Sequence, residues 1–151
     1  AKDKSIGNKM INARAETLHE KPSFKNIFKK RRCLILADGF YEWKKVKKTK
    51  IPYYIYHKSH EILAFAGLWD KWISPEGKEI NSCTIITTNN NELLKNLHHR
   101  MPVILKREER NIWLDPKNQD QESLRSLLKP YPSDEMNFYE VANLVKVFLR
   151  L

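Results

Sequence analysis

Glu42 is the first residue whose type and setting point to chemistry. It lies between Tyr41 and Trp43 in a run otherwise made of bulky apolar residues. A half-buried carboxylate there would have a raised pKa suited to general acid or base work. An outward-facing Glu paired with a neighbouring Lys fits the same residues. His98 is the second candidate, because its imidazole exchanges protons near neutral pH and stands where a helix is expected to give way to a strand. A surface or capping histidine is the plainer reading, and His99 beside it can be idle. Arg100 offers a bidentate guanidinium to phosphate, with a surface salt bridge as the alternative. In Asn12-Ala13-Arg14-Ala15-Glu16-Thr17, small alanines alternate with polar groups. An extended chain would therefore present Asn12, Arg14 and Glu16 on one side and stay slim on the other.

Cys33 and Cys83 each sit inside an apolar run and are expected to be buried thiols. The sequence has no CxxC and no Cys/His metal spacing, so neither a metal nor another cofactor is expected. The charge balance is 28 Lys and Arg against 18 Asp and Glu, a formal +10, which favours a polyanionic partner such as nucleic acid. Much of the excess lies in Lys29-Lys30-Arg31-Arg32 and in Lys44-Lys45-Val46-Lys47-Lys48-Thr49-Lys50. Each cluster fits either a solvated loop or a phosphate-contacting surface. No apolar stretch approaches the ~20 residues needed to cross a bilayer and no signal peptide is visible, so a cytoplasmic location and no membrane partner are expected.

The elements that must position these groups follow from the hydrophobic pattern. With 151 residues, 41% hydrophobic and 30% charged, one folded domain over residues 1–151 is expected. The first thirty residues hold few apolar anchors and read as irregular, with at most one helical turn. Residues 32–43 read as strand, tight turn at Asp38-Gly39, and strand. Residues 52–57 and 62–69 add strands to the same antiparallel sheet, and Pro75-Glu76-Gly77-Lys78 turns the chain between strands 68–73 and 80–88. Asn89 followed by Glu92 resembles a capping box and predicts a helix over 90–97. Residues 103–105 form a short strand, 108–114 and 121–128 form helices, the second with Asp120 as N-cap, and 138–145 a final strand. The class is α+β, mainly antiparallel sheet rolled into a barrel-like core with short flanking helices.

Five stretches taken in order resemble one family. They are Asn-Ala-Arg-Ala-Glu-Thr at 12–17, Arg-Cys-Leu-Ile-Leu-Ala-Asp-Gly-Phe-Tyr-Glu-Trp at 32–43, Ala-Gly-Leu-Trp at 66–69, Cys-Thr-Ile-Ile-Thr-Thr at 83–88 and His-His-Arg-Met-Pro-Val-Ile-Leu at 98–105. They look like the SOS response-associated peptidase (SRAP) family, whose members shield abasic sites in DNA.

The resemblance implies single-stranded DNA with an abasic site as partner, especially at single-strand to duplex junctions, in a cytoplasmic, nucleoid-associated setting. It also implies covalent attachment through an N-terminal cysteine. The α-amine condenses with the ring-opened sugar aldehyde, and the thiol closes the imine to a thiazolidine. Carried over by motif, Asn12 would orient the nucleophile and the sugar. Glu42 would shuttle protons, and His98 would act as the second acid/base group. Arg14 and Arg100 would hold flanking phosphates, with Tyr41 and the basic clusters extending the DNA surface. Peptidase and lyase-like activity belong to the same expectation.

The sequence departs from the family pattern at its start. Members begin with Cys-Gly-Arg and carry several dozen residues before the 12–17 motif, whereas Ala1 to Ile11 resemble only the stretch just ahead of it. Val145-Lys146 also stands where the family usually has Val-Asn. The expectation is an N-terminally truncated domain that keeps the acid/base and phosphate-binding half of the site, cannot close the thiazolidine, and exposes a sheet edge or apolar patch. A non-catalytic DNA-binding module or decayed paralogue is the alternative.

Overall fold

The computed structural model describes residues 12–20 and 22–142. The opening stretch before Asn12, residues 143–145 of the expected last strand and Val145-Lys146 lie outside them. In chain order the elements are β1 (Asn12–Arg14), α1 (Pro22–Lys30), β2 (Arg32–Ala37), β3 (Gly39–Val46), β4 (Thr49–His57), β5 (Leu63–Ile73), β6 (Glu79–Asn89), β7 (Arg100–Pro102), α2 (Arg107–Leu114), α3 (Gln121–Ser126) and β8 (Met136–Glu140). The class is the expected α+β, mostly antiparallel with short helices, but the barrel-like roll takes the form of two facing sheets that do not close.

The larger sheet has the order β1-β6-β5-β2 with β7 on β6, and the smaller is β3-β4-β8. This corrects the single sheet expected from the pattern. Ala37 pairs with Leu63 of β5, whereas Gly39 pairs with Tyr56 of β4, so the chain changes sheets at Asp38 and makes no hairpin there. Gly39 is required by close approach, since a Cβ would collide with the Ile55 carbonyl oxygen and the Tyr54 ring. The pairing of β5 with β6 ends at Gly67 and Ile85. Beyond it Val103 fills the gap, accepting from Ala66 N and donating to Ile86 O, both at 2.8 Å.

Two cores flank the larger sheet. On one face Phe24 and Phe28 of α1, Trp113 of α2 and Leu124 of α3 pack on Ala66, Leu68, Ile86 and Val103. Between the sheets lie Ile55, Leu63, Phe65, Met101, Ile104 and Met136, with Phe40 of β3 meeting Phe65 of β5 edge to face at 5.7 Å. The nine-residue α1 was expected as irregular chain. Its apolar signal is only Phe24, Ile27 and Phe28, but that spacing lines one helix face, Pro22 suits the first helical position, and Lys29 and Lys30 suit its last turn.

The expected helix at 90–97 is instead a series of turns. Asn91 replaces Asn89 as the local cap, its Oδ1 accepting from Leu94 N at 3.1 Å, while its Nδ2 donates to Tyr131 O at 2.8 Å. That tertiary bond, with buried Leu94 and Leu97, holds the segment against the inter-sheet core. The N-cap at Asp120 is as expected, its side chain accepting from Glu122 N at 3.1 Å.

Candidate functional site

Along β3 the side chains alternate between faces, so Phe40 and Glu42 point toward the larger sheet and Tyr41 points outward. Opposite Glu42, the turns after β6 deliver His98, whose carbonyl accepts from Asn90 Nδ2 at 2.5 Å. Glu42 Oε2 and His98 Nδ1 are 3.7 Å apart. Two motifs separated by more than fifty residues thus meet across the space between the sheets. His98 Nδ1 also accepts from Arg100 N at 3.2 Å, which fixes the ring. Glu42 Oε1 accepts from Trp43 N at 3.2 Å.

The Glu42 carboxyl is held above the ordinary carboxylate range, because burial outweighs the opposing pull of His98, the Trp43 N–H and His99. A carboxyl so placed, in contact with an imidazole and still open to solvent, holds its proton more readily than an exposed carboxylate and can exchange it with a neighbouring group.

Arg100 has a structural duty. Its side chain is 10% exposed and pairs with Glu16 through Nη1–Oε1 and Nη2–Oε2 bonds of 2.9 Å each. It also donates to Asn89 Oδ1 at 3.1 Å and to Thr87 O at 2.7 Å. Arg100 therefore ties the end of β6 to Glu16, two residues past the end of β1. Asn12 and Arg14 are exposed on β1 while Ala13 and Ala15 are buried, the two-sided pattern that the alternation predicts. Those alanines let β1 lie in parallel beside Ile85, Ile86 and Thr87 of β6. Tyr41 lies on the opposite side of β3 from Glu42, its ring 5.2 Å from that of Tyr54.

The basic clusters divide. Arg32, whose cluster fitted either a solvated loop or a phosphate-contacting surface, is instead buried beneath the helices, where its guanidinium donates to the carbonyls of Phe28 (2.9 Å), Lys29 (2.6 Å), Trp113 (2.6 Å), Asp115 (2.5 Å) and Asn118 (2.8 Å). It satisfies the C-terminal carbonyls of α1 and α2, a role that a run of four basic residues conceals. Arg31 pairs with Asp70 and lies 5.1 Å over Trp69. The second cluster forms the exposed β3–β4 hairpin end, turning at Lys47-Lys48. Cys83 is exposed, which corrects the expectation of two buried thiols, because its position on β6 falls beyond the covered part of the sheet. Cys33 is partly buried, and burial together with Cys83 pushes its thiol up to about 11.

Sequence reasoning missed buried His57, whose Nδ1 meets Ser59 Oγ at 2.7 Å and whose Nε2 meets Glu61 at 3.2 Å and Glu135 at 3.6 Å. Only the fold brings Glu135 there. A groove of about 760 Å³ lies between Glu16 and Thr88 on one side and Gln121, Glu122, Arg125 and Ser126 on the other, and neither Glu42 nor His98 lines it. Among the described residues no group of three His, Cys, Asp or Glu could hold a metal ion, and no helix is long and apolar enough to cross a membrane.

The chain is similar to known proteins over most of its length. Abasic site processing protein YoqW of Bacillus subtilis is 57% identical over 146 residues, covering 96% of this chain and 65% of that protein. Abasic site processing protein HMCES of Pongo abelii is 38% identical over 164 residues, covering 89% of this chain and 46% of that protein. The chain thus spans less than two thirds of the first and less than half of the second. A crystal structure of a protein from Bacteroides thetaiotaomicron superposes with a TM-score of 0.90 at 36% identity, covering 97% of this chain and 66% of that one. The family model described as SOS response associated peptidase matches residues 1–148. On that match and these identities, the chain belongs to the SOS response associated peptidase (SRAP) family.

Proposed function

We propose that this chain binds single-stranded DNA at an abasic site, at or near a single-strand to duplex junction, and supplies the proton-transfer part of a covalent attachment to the sugar. The observation that carries this reading is the 3.7 Å approach of Glu42 and His98, two acid/base groups from opposite sheets. In the family that the sequence resembles, the nucleophile is an N-terminal cysteine. Its amine adds to the aldehyde carbon of the opened sugar and water leaves, giving an imine. The thiol then adds to the same carbon while the nitrogen takes a proton, giving a thiazolidine. Water loss and ring closure both need a proton carrier that works in either direction, which suits a carboxyl with a raised pKa beside an imidazole.

Asn12 and Arg14, exposed on β1, orient the sugar and hold a flanking phosphate. Arg100 acts one step back, holding Glu16 and the His98 ring in place, because both its Nη groups are already paired within the protein. The lyase and self-processing peptidase chemistry would draw on the same pair, and the work would take place at DNA in the cytoplasm.

The test is a native gel of the chain with a single-stranded oligonucleotide bearing one abasic site, beside an intact strand, and a denaturing gel of the same mixtures. Preferential binding of the abasic strand is expected. Equal affinity for both strands would remove the reading and leave a general DNA-binding module. A covalent band on the abasic strand that weakens with Glu42→Gln adds the proton-transfer role.

A further inference from the structure

We infer that the outer face of the β3-β4-β8 sheet is a stacking surface for single-stranded nucleic acid, continuing the DNA contact around the β3 edge. The inference rests on the DNA-binding reading above and extends it to a face that Glu42 does not share.

One face of an antiparallel sheet ordinarily packs and the other carries polar side chains. Here the outward row is tyrosine on all three strands. Tyr41 pairs with Tyr54, and Tyr54 with Tyr139. Their ring centroids are 5.2 Å and 5.6 Å apart. Tyr56 continues the row, 6.0 Å from Tyr54 with planes 13° apart, and His60 stacks on Tyr56 at 4.9 Å. Tyr139 remains 52% exposed. These rings serve neither core, and ordered aromatic faces on a sheet accept unpaired bases irrespective of sequence.

Charge on the same face selects the partner. Toward the hairpin end, four ladder pairs beyond Tyr41–Tyr54 and on the same face, Lys45 stands directly opposite Lys50. Like charges opposed across a ladder cost stability, and a phosphate between them would remove that cost. Asp38 lies near Tyr54 and marks the other end of the row. A chain with its phosphates at the lysines and its bases over the tyrosines satisfies both features. A duplex would keep its bases stacked and unavailable. Because β3 is an edge strand, with Glu42 on its inner side and Tyr41 on its outer side, one flexible strand can reach both faces by passing around it.

The test is fluorescence anisotropy of the full chain with a labelled short oligothymidylate that carries no abasic site. Tyr139→Ala and Tyr56→Ala are each expected to weaken binding about 5-fold or more, while Tyr139→Phe keeps wild-type affinity. Changing both Lys45 and Lys50 to Ala is expected to make the slope of log K against log [salt] shallower by about 0.7, the one single-strand phosphate contact that the two lysines share. Tyr139 is exposed enough for its truncation to leave the fold intact, and a thermal melt of each variant checks that.

Unchanged binding in Tyr139→Ala, or equal loss in Tyr139→Phe, overturns the inference. So does self-association that Tyr139→Ala abolishes without altering oligonucleotide affinity, since it assigns the face to a second copy. If the tyrosine variants bind normally while discrimination of abasic strands persists, only this inference falls. If they lose affinity while the wild type never distinguishes abasic from intact strands, the stacking surface stands and the abasic-site reading falls.

Discussion

Arg100 and Glu16 meet in a two-point ion pair, both N–O distances being 2.9 Å, and this pair joins the chain two residues past β1 to the start of β7. Its geometry is that of a phosphate clamp already filled by the protein's own carboxylate.

Replacing Arg100 with Ala is therefore expected to lower stability by about 2 kcal/mol, since a largely buried charged donor to Glu16, Asn89 and Thr87 is lost. Urea denaturation measures it through a lower midpoint at constant slope. Arg100 holds the Glu16 carboxyl below its ordinary range. A depressed carboxyl contributes stability that is present above its unfolded pKa and lost as pH falls through the folded value. Stability should thus fall with acidification below about pH 4.5, and Glu16→Gln should flatten that fall.

Glu42 predicts the opposite sign. Its carboxyl is raised chiefly by burial, so the native state holds the proton longer than the unfolded chain and ionisation is a cost as pH rises. Glu42→Gln should match or exceed the wild-type melting temperature at pH 7 while slowing the proton-transfer step by about 100-fold. A large drop in melting temperature would mean that the carboxylate is a structural ion-pair partner.

Arg32→Met should be costly despite its conserved volume. Five carbonyl acceptors, three in the last turns of α1 and α2 and two in the chain just after α2, lose their donor together, and the loss should reach about 3 kcal/mol. Guanidinium unfolding would show it, and a change below about 0.5 kcal/mol would mean that water replaces the guanidinium.

The thiols should separate by rate. Cys83 is exposed, whereas Cys33 is partly buried with its thiol pushed up to about 11. At pH 8 an aromatic disulfide reagent should release one fast equivalent, which Cys83→Ser abolishes.

The sequence showed β6, the two-sided β1 and the Asp120 cap because each depends on neighbours within a few residues. Asp38-Gly39 was misread because turn chemistry states that the chain bends, and only tertiary packing states that the next strand joins another sheet. The helix at 90–97 lost to Asn91, whose side chain reaches Tyr131, a partner forty residues away. Arg32 was invisible as a core residue because its acceptors are backbone carbonyls of two separate helices. Glu42 and His98 were each identifiable by chemical type. Their meeting followed from motif resemblance, and no property of either segment alone implies it.

The change of sheet at Asp38 also sets what tunes the proton pair. Glu42 rides on one sheet and His98 hangs from the other, so the thickness of the layer between them fixes their separation. Phe40, two residues before Glu42, and Phe65 form part of that layer. Substitutions that thin or swell it would move one side chain relative to the other, and on the proposed proton-transfer role would change its rate without touching either residue. Hydrophobic packing between the sheets therefore sets the spacing of the Glu42–His98 pair.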